Sequence, residues 1–168
     1  IRLICEGNLR SRTLSTLFEP SETPGSLKQA MDLLCNQATQ AVREGYSIII
    51  LSDRGVDEDH APIPSLLATA GVHHHLIREG LRMKVGLVVE SGEPREAQHF
   101  ALLVGYGASA VNPYLAYETL AEMAEQGVLP AGVDSQAAEK NFVKALHKAL
   151  LKVASKTGIS TIQGYCGA

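Results

Sequence analysis

The sequence has 168 residues, 45% of them hydrophobic, with a formal net charge of −3 at pH 7 and a pI near 6.1. This length suits one compact domain with a buried core and is too short for two domains of ordinary size. The slightly acidic charge gives no general reason to expect nucleic acid or an anionic membrane as a partner, and no apolar stretch approaches the roughly 20 residues that span a bilayer.

The first elements predicted along the chain are a short strand and an amphipathic helix. Residues 13–18 predict the strand, and the stretch 19–25, which contains Pro and Gly, predicts a loop. Ser26 and Gln29 have the spacing of a capping box, which predicts that Ser26 caps a helix ending near Gly45. The apolar residues of this helix share one stripe at helical spacing: Leu27, Ala30, Met31, Leu34, Ala38, Ala41 and Val42.

The centre of the chain predicts a strand–helix–strand unit. The apolar runs 47–51 and 85–89 show no alternation with polar residues, which is typical of strands covered on both faces in a parallel sheet. Between them, residues 64–81 have the periodicity of a helix. We therefore predict an α/β fold with a mostly parallel sheet and helices on both faces, with an incomplete barrel-like strand–helix repeat as the alternative arrangement.

Polar residues follow both central strands and are the first candidates for chemistry. Asp53 and Arg54 come after the first strand, and Glu90 and Ser91 end the second. Parallel sheets place working groups at such strand ends, so Asp53 and Glu90 could form a carboxylate pair for acid–base catalysis. The favoured interpretation is structural: Asp53 pairs with Arg54 or Arg82 and fixes the geometry of the loop.

The loop 53–64 is acidic and contains His60 between Asp59 and a stiff Ala-Pro-Ile-Pro segment. A divalent-cation site is one interpretation, but the spacing of its acidic residues does not match a calcium-binding loop. We favour a solvated or interface loop.

The helix over 64–81 contains the run His73, His74 and His75. Consecutive residues point about 100° apart around a helix, so three adjacent histidines cannot converge on one metal ion. His74 falls on an apolar stripe with Leu67 and Ile77, which predicts a buried and hydrogen-bonded side chain rather than a metal ligand.

The second half of the chain predicts three further helices and two short strands. Pro94 marks the start of a short helix that Gly105 caps at its end, and residues 109–111 form a brief strand. Helices follow from 112 to about 125 and from Ser135 to 156, and residues 159–162 predict a last strand. The final long helix carries lysines at four-residue steps, which we interpret as a solvated face rather than a phosphate site: Lys140, Lys144, Lys148 and Lys152.

The cysteines and the chain ends bear on where this polypeptide belongs. Cys5, Cys35 and Cys166 are scattered and form no metal-type pair, which is typical of a reducing cytosolic or organellar compartment. The chain starts without an initiating Met and stops just after a predicted strand. We therefore expect a piece of a longer protein, with a processed or tag-trimmed small protein as the alternative.

Four stretches carry a resemblance to a known family: 51–57 with 60–67, then 72–90, 99–115 and 150–161. Together they resemble the central domain of the glutamate synthase large subunit, from about Ala30 to the C-terminus. The resemblance implies that residues 1–156 form a central connecting domain with an atypical or truncated N-terminal part. Residues 157–168 would begin the flavin-binding synthase domain, and Gln163 and Tyr165, at the end of its first barrel strand, would approach FMN in the full enzyme only.

The resemblance also implies a role within a larger enzyme that makes two glutamates from glutamine and 2-oxoglutarate. An amidotransferase domain releases ammonia, which passes to a (β/α)₈ synthase domain with FMN and a 3Fe–4S cluster; the central domain connects them without catalytic or cluster-ligating cysteines. We accordingly expect no cofactor in this chain, the two sister domains as its partners, and a cytoplasmic or plastid location. An excised connector would also self-associate through uncovered surface.

A different function remains open from the residues alone. The chain could be a free-standing binder of small molecules, with an anion held near the turn at Ser91 and Gly92 and the helix that follows.

Overall fold

A four-stranded parallel sheet organises the structure, a computed structural model that describes residues 9–21 and 24–167. Its strands are β1 (Ser11–Ser15), β3 (Ile48–Ser52), β5 (Gly86–Glu90) and β6 (Ala110–Asn112), adjacent in that order. The register aligns Leu14 with Leu51 and Leu51 with Val89. A separate antiparallel pair joins β2 (Leu17–Phe18) to β4 (Ala61–Pro62). The predicted mostly parallel α/β fold is confirmed, and Cys5 lies outside the described residues.

Helices link the successive strands of the sheet. They are α1 (Ser26–Arg43), α2 (Ser65–Arg78) and α3 (Ala97–Gly105), with a short 3₁₀ turn at Arg82–Lys84 before β5. After β6 come α4 (Tyr114–Glu125), α5 (Ser135–Lys156) and α6 (Ile162–Tyr165). In the part of the chain that the structure describes, none of these helices is long and apolar enough to cross a membrane.

The main core lies between one face of the sheet and the helices that pack on it. Ile49, Leu51 and Leu87 point from the strands into a cluster with buried residues of α1 and α2, such as Leu34 and Leu76. Each such aliphatic side chain stabilises the fold by about 1.5–3 kcal/mol when fully buried. The same face continues at Val89, which packs with Leu103 of α3 and Ala108.

The helices α1, α2 and α3 therefore lie along one face rather than being shared between two. Right-handed connections between strands that follow one another in the same direction place all their helices on the same side. This arrangement is the incomplete barrel-like strand–helix repeat, the second form in which the fold was predicted.

The predicted orientation of α2 is wrong. His74 is exposed, as are Leu67 and Ile77 of its predicted stripe, whereas the buried residues are Ser65, Ala68, Thr69, Val72 and Leu76. The buried side packs against α1, where Gly71 lies beside the end of the Met31 side chain. The helix therefore turns its small residues inward and leaves its second apolar stripe outside.

The predicted strand over 159–162 is also wrong, and with it the position of Gln163 and Tyr165 at a strand end. These two residues lie in α6, whose first backbone groups are capped by Thr161: its hydroxyl oxygen accepts from the Gly164 N–H at 3.1 Å. This local hydrogen bond outweighs the weak strand propensity of a four-residue segment. The segment packs back on α3, where the Gly167 N–H donates to the Gly105 carbonyl at 2.8 Å.

Three predicted helix starts shift by a few residues. Ser26 is the first residue of α1 and its side chain makes no cap, so the capping box does not form. The helix after Pro94 begins at Ala97, and Asp134 rather than Ser135 caps α5, accepting from the Ala137 N–H at 2.7 Å.

Candidate functional site at the strand ends

The carboxylate of Asp53 links the ends of β3 and β5. It accepts hydrogen bonds from the Ser91 hydroxyl at 2.5 Å and from the Gly92 N–H at 3.1 and 3.2 Å. The Tyr114 hydroxyl also bonds to it, at the start of α4. Asp53 is 5% exposed, so these contacts replace almost all of its hydration. The expectation that Asp53 pairs with Arg54 or Arg82 is therefore wrong; its partners are neutral donors.

Glu90 is the second buried carboxylate of the site and is held on the opposite face of β5. It accepts from the Ser52 hydroxyl at 2.6 Å and from the Asn112 amide at 3.2 Å, which joins three neighbouring strand ends. The Arg54 Nε lies 3.4 Å from the same carboxylate and supplies the compensating charge. A buried carboxylate needs such partners, because desolvation would otherwise oppose its ionised form.

Arg54 connects this carboxylate to α4. Its Nη1 donates to Glu118 at 3.1 Å, and its guanidinium lies 3.9 Å from the centre of the Tyr114 ring. Burial alone would lower the pKa of Arg54, but hydrogen bonds to Glu118 and Glu90 raise it above its usual value. Burial, followed by the hydrogen bond to Asp53, raises the pKa of Tyr114 to about 12. Tyr114 therefore stays a neutral donor at physiological pH.

Sequence reasoning found the four strand-end residues but missed Asn112, Tyr114 and Glu118. Asn112 ends β6 as Glu90 ends β5, so the rule that polar residues follow parallel strands could have found it. Tyr114 and Glu118 belong to α4, and no pattern in the sequence indicates that this helix reaches the end of β3.

The turn at Ser91 and Gly92 holds an anion, and that anion is the carboxylate of Asp53. A β-carbon on Gly92 would lie 3.3 Å from the Tyr114 hydroxyl, so little space remains beside the turn. The N-terminus of α3 is likewise engaged from within, because the N–H groups of Arg95 and Glu96 donate to His99 Nδ1 at 3.3 and 3.4 Å.

The acidic loop 53–64 is organised around Asp57. The Oδ1 atom of Asp57 accepts from the N–H groups of Asp59 and His60 and lies 2.7 Å from His60 Nδ1. This contact with Asp57 raises the pKa of His60 and lowers the pKa of Asp57. Among the described residues, no three His, Cys, Asp or Glu side chains are grouped to hold a metal ion.

The three histidines of α2 diverge, as predicted from helix geometry. His73 Nδ1 accepts from Arg82 Nε at 2.8 Å, while His75 Nε2 lies 2.9 Å from the Thr39 hydroxyl on α1. Burial, followed by the charge of Arg82, lowers the pKa of His73. Arg82 also donates to the carbonyls of Val85 and Gly107 at 2.6 and 2.8 Å, so this cluster braces the amino ends of the strands.

The polar cluster at the strand ends is thus complete within itself. In the described part of the chain, every buried side-chain nitrogen or oxygen has a hydrogen-bond partner. A general acid or base must have an atom within hydrogen-bond reach of a substrate, and the acceptors of Asp53 and Glu90 are engaged by their neighbours. The arrangement is that of a structural joint between three strands and α4.

Comparison with known families gives the context of this joint. The family model described as the glutamate synthase central domain matches residues 1–168. The chain belongs to the glutamate synthase central domain family.

Curated relatives of this glutamate synthase domain come from several kingdoms. Glutamate synthase [NADH] of Schizosaccharomyces pombe is 44% identical over 156 residues, which are 93% of this chain and 7% of that protein. The glutamate synthase [NADPH] large chain of Bacillus subtilis is 42% identical over 168 residues, 100% of this chain and 11% of that protein. Ferredoxin-dependent glutamate synthase 1, chloroplastic/mitochondrial, of Arabidopsis thaliana is 42% identical over 95% of this chain and 10% of its own length. The chain therefore spans about a tenth of the relatives that it matches.

A solved structure shares the fold of this central domain. A mutant flavocytochrome b2 with pyruvate bound superposes with a TM-score of 0.58 at 18% identity, over 88% of this chain and 37% of that one. At this level of identity the likeness concerns the fold alone.

Proposed function

We propose that this chain is the connecting domain of a glutamate synthase and takes no catalytic part of its own. In the parent enzyme, which forms two glutamates from glutamine and 2-oxoglutarate, it joins the amidotransferase domain to the FMN- and 3Fe–4S-containing synthase domain. The parent works in the cytoplasm, or in the plastid stroma in a plant-type source. Family membership supports this role, and so does the self-contained polar cluster.

The single observation that carries the proposal is the occupancy of the strand ends. In a parallel α/β sheet this edge is where substrates and cofactors bind. Here Asp53 fills the Ser91–Gly92 turn, Arg54 bridges Glu90 and Glu118, and Tyr114 lies over Arg54. The groups that could act on a ligand hold strands and α4 together instead, so the edge serves as a rigid support.

We further propose that this edge, with the loops 53–64 and 90–95, faces the ammonia route or a neighbouring domain. Val56 in the first loop is 52% exposed although it is apolar, which favours a covered position in the parent.

We also propose that Gln163 and Tyr165 lie near FMN in the complete enzyme. The proposal rests on residues 150–161, which resemble the segment that leads into the synthase domain.

A variant of the parent enzyme tests the orientation of this edge. We expect Val56→Lys to lower glutamine-dependent glutamate formation while ammonia-dependent formation and glutamine hydrolysis persist, because only the passage between domains is disturbed. Met83→Lys is the matched control: Met83 is also apolar and is 97% exposed, but it precedes β5 at the opposite edge. If the ratio of glutamine-dependent glutamate formation to glutamine hydrolysis is the same in the two variants, the proposed orientation is wrong.

The alternative function, a free-standing binder of small molecules, predicts that a ligand stabilises the isolated chain, whereas a connecting domain should not be stabilised. A protein with a specific ligand gains stability as the ligand exceeds its dissociation constant. We expect no saturable rise in the thermal midpoint with 2-oxoglutarate, glutamate, phosphate or FMN, each titrated to millimolar concentration. Saturable stabilisation by any one of them would replace the connector with a binding domain.

A further inference from the structure

The strand β1 is the outermost strand of the sheet, and its outer edge is open among the described residues. It pairs with β3 alone, in parallel register. The Arg10 carbonyl and the Thr16 N–H both bond toward β3. Successive residues of a strand direct their backbone groups to opposite sides. The N–H and C=O groups of Ser11, Thr13 and Ser15 therefore face outward, as a row that a further strand can join.

A groove runs beside this open edge. It has a volume of about 640 Å³ and lies between β1 and the flank of α1 that faces away from α2. Gln29, Leu33, Gln37 and Gln40 line it along the helix, and Thr13 and Ser15 line it along the strand. Leu33 is 59% exposed and is the most exposed large apolar side chain among the residues that line the groove. A groove of this form has room for a strand at the edge and for apolar contact beside α1.

We propose that in the parent enzyme this edge receives a parallel strand from the part of the chain on the N-terminal side of β1, followed by a helix that packs beside α1. The proposal rests on the proposed function, since it needs the longer parent chain. The new strand would continue the sheet in the order already present. It would extend the barrel-like repeat by one strand–helix unit.

The order of the strands identifies this occupant. Each helical connection within the sheet places the next strand beside the preceding one and always in the same direction, from β1 to β6. Right-handed connections of this kind continue a sheet by adding the preceding unit at the outer side of β1. Relatives are roughly ten times longer than the chain, so the parent has ample sequence to supply the unit.

A second copy of the chain fits the groove less well. Two copies related by a two-fold axis would pair their β1 edges antiparallel and bring two α1 flanks together. Three glutamines line the α1 side of the groove together with Ala30, Leu33, Leu34 and Ala41, and Leu33 is the exposed one of these apolar residues. The apolar area offered for such a contact is small.

Hydrogen exchange on the intact parent enzyme tests whether the edge is paired. We expect the outward amides of Thr13 and Ser15 to be protected about as strongly as the inward amide of Leu14. Thr13→Pro removes only an outward N–H group, which an edge strand tolerates, and should speed exchange in the upstream strand by about tenfold. Thr13→Val keeps the N–H group and should leave that exchange unchanged. Unprotected amides at Thr13 and Ser15 would overturn the proposal.

Photo-crosslinking of the parent from position 37 identifies the occupant. A crosslinking residue in place of Gln37 should capture a peptide of the same chain on the N-terminal side of this domain, whereas one in place of Gln136 on α5 should not. Capture of a second subunit, or of another domain, would overturn the strand assignment. The connector role would survive that outcome, because it is measured separately by the coupling of glutamine hydrolysis to glutamate formation.

Discussion

Gly107 shows how one residue can control the packing of several elements. Its φ of +111° lies in a region that side chains rarely adopt, and a β-carbon there would overlap the His73 ring. The carbonyl of the same residue accepts from Arg82, whose Nε donates to His73. A larger residue at position 107 would therefore disturb α2, the 3₁₀ turn before β5 and the segment that precedes β6.

We therefore expect Gly107→Ala to destabilise the chain by about 3 kcal/mol, since strain in the left-handed region adds to an overlap in a packed site. Gly80→Ala is the matched control, because Gly80 also has a positive φ, +66°, but no heavy atom lies within 4 Å of its added β-carbon. The control should cost about 1 kcal/mol, the strain alone. Urea unfolding measures both, and equal losses would show that the His73 contact contributes nothing.

Between elements, the carboxylate of Asp53 is the principal link from β3 to β5 and α4. It accepts from Ser91 and Gly92 in the turn after β5 and from Tyr114 at the start of α4. Removing one acceptor from a buried cluster leaves its donors without partners, and each unsatisfied group costs about 1–3 kcal/mol. The strand ends should therefore loosen as a unit when this carboxylate is altered.

Asp53→Asn should lower the free energy of unfolding by about 3 kcal/mol, because the new amide group faces donors with another donor. Asp59→Asn, an exposed change in the same loop, should stay within about 0.5 kcal/mol of the parent chain. Chemical denaturation of the two variants provides the comparison. Similar stability in both would mean that Asp53 is dispensable to the joint.

The elements could largely be predicted from the sequence, whereas the face that each helix buries could not. The apolar runs located β3 and β5 because a buried parallel strand needs continuous apolar residues. For α2 the same rule fails, since Leu67 and Ile77 form one apolar stripe and Val72 and Leu76 another. Packing against α1 separates these solutions, and that packing joins residues far apart in sequence.

The candidate site could likewise be predicted only in part from the sequence. Its strand-end residues follow from the pattern, because the carboxyl ends of parallel strands meet at one edge. Their partners do not follow, since Asp53 was expected to bond to a nearby arginine and instead accepts from Ser91 and Gly92. The choice depends on the register of β3 against β5 and on the placement of Tyr114, which are properties of the assembled sheet.

At the scale of the whole molecule, the described residues form a sheet with α1, α2 and α3 along one face and a β1 edge that no other described strand covers. Several large apolar residues of the described chain are exposed, among them Leu33, Leu151 and Met83. Exposed apolar surface and unpaired strand edges both favour association. These surfaces are uncovered among the described residues, and the chain spans about a tenth of the relatives that it matches.

In the parent the upstream strand is the better occupant of the β1 edge, but without it we expect the isolated chain to self-associate weakly, as its concentration rises, through this edge and its groove. Leu33→Lys places a charge in that groove and should shift sedimentation velocity profiles toward the monomer. Leu151→Lys, on α5 at a site that is 69% exposed, should leave the association nearly unchanged. A strictly monomeric chain would contradict the expected association. If Leu151→Lys reduces self-association more than Leu33→Lys does, the contact between copies lies on α5. The groove beside β1 is then not the surface through which the chain associates.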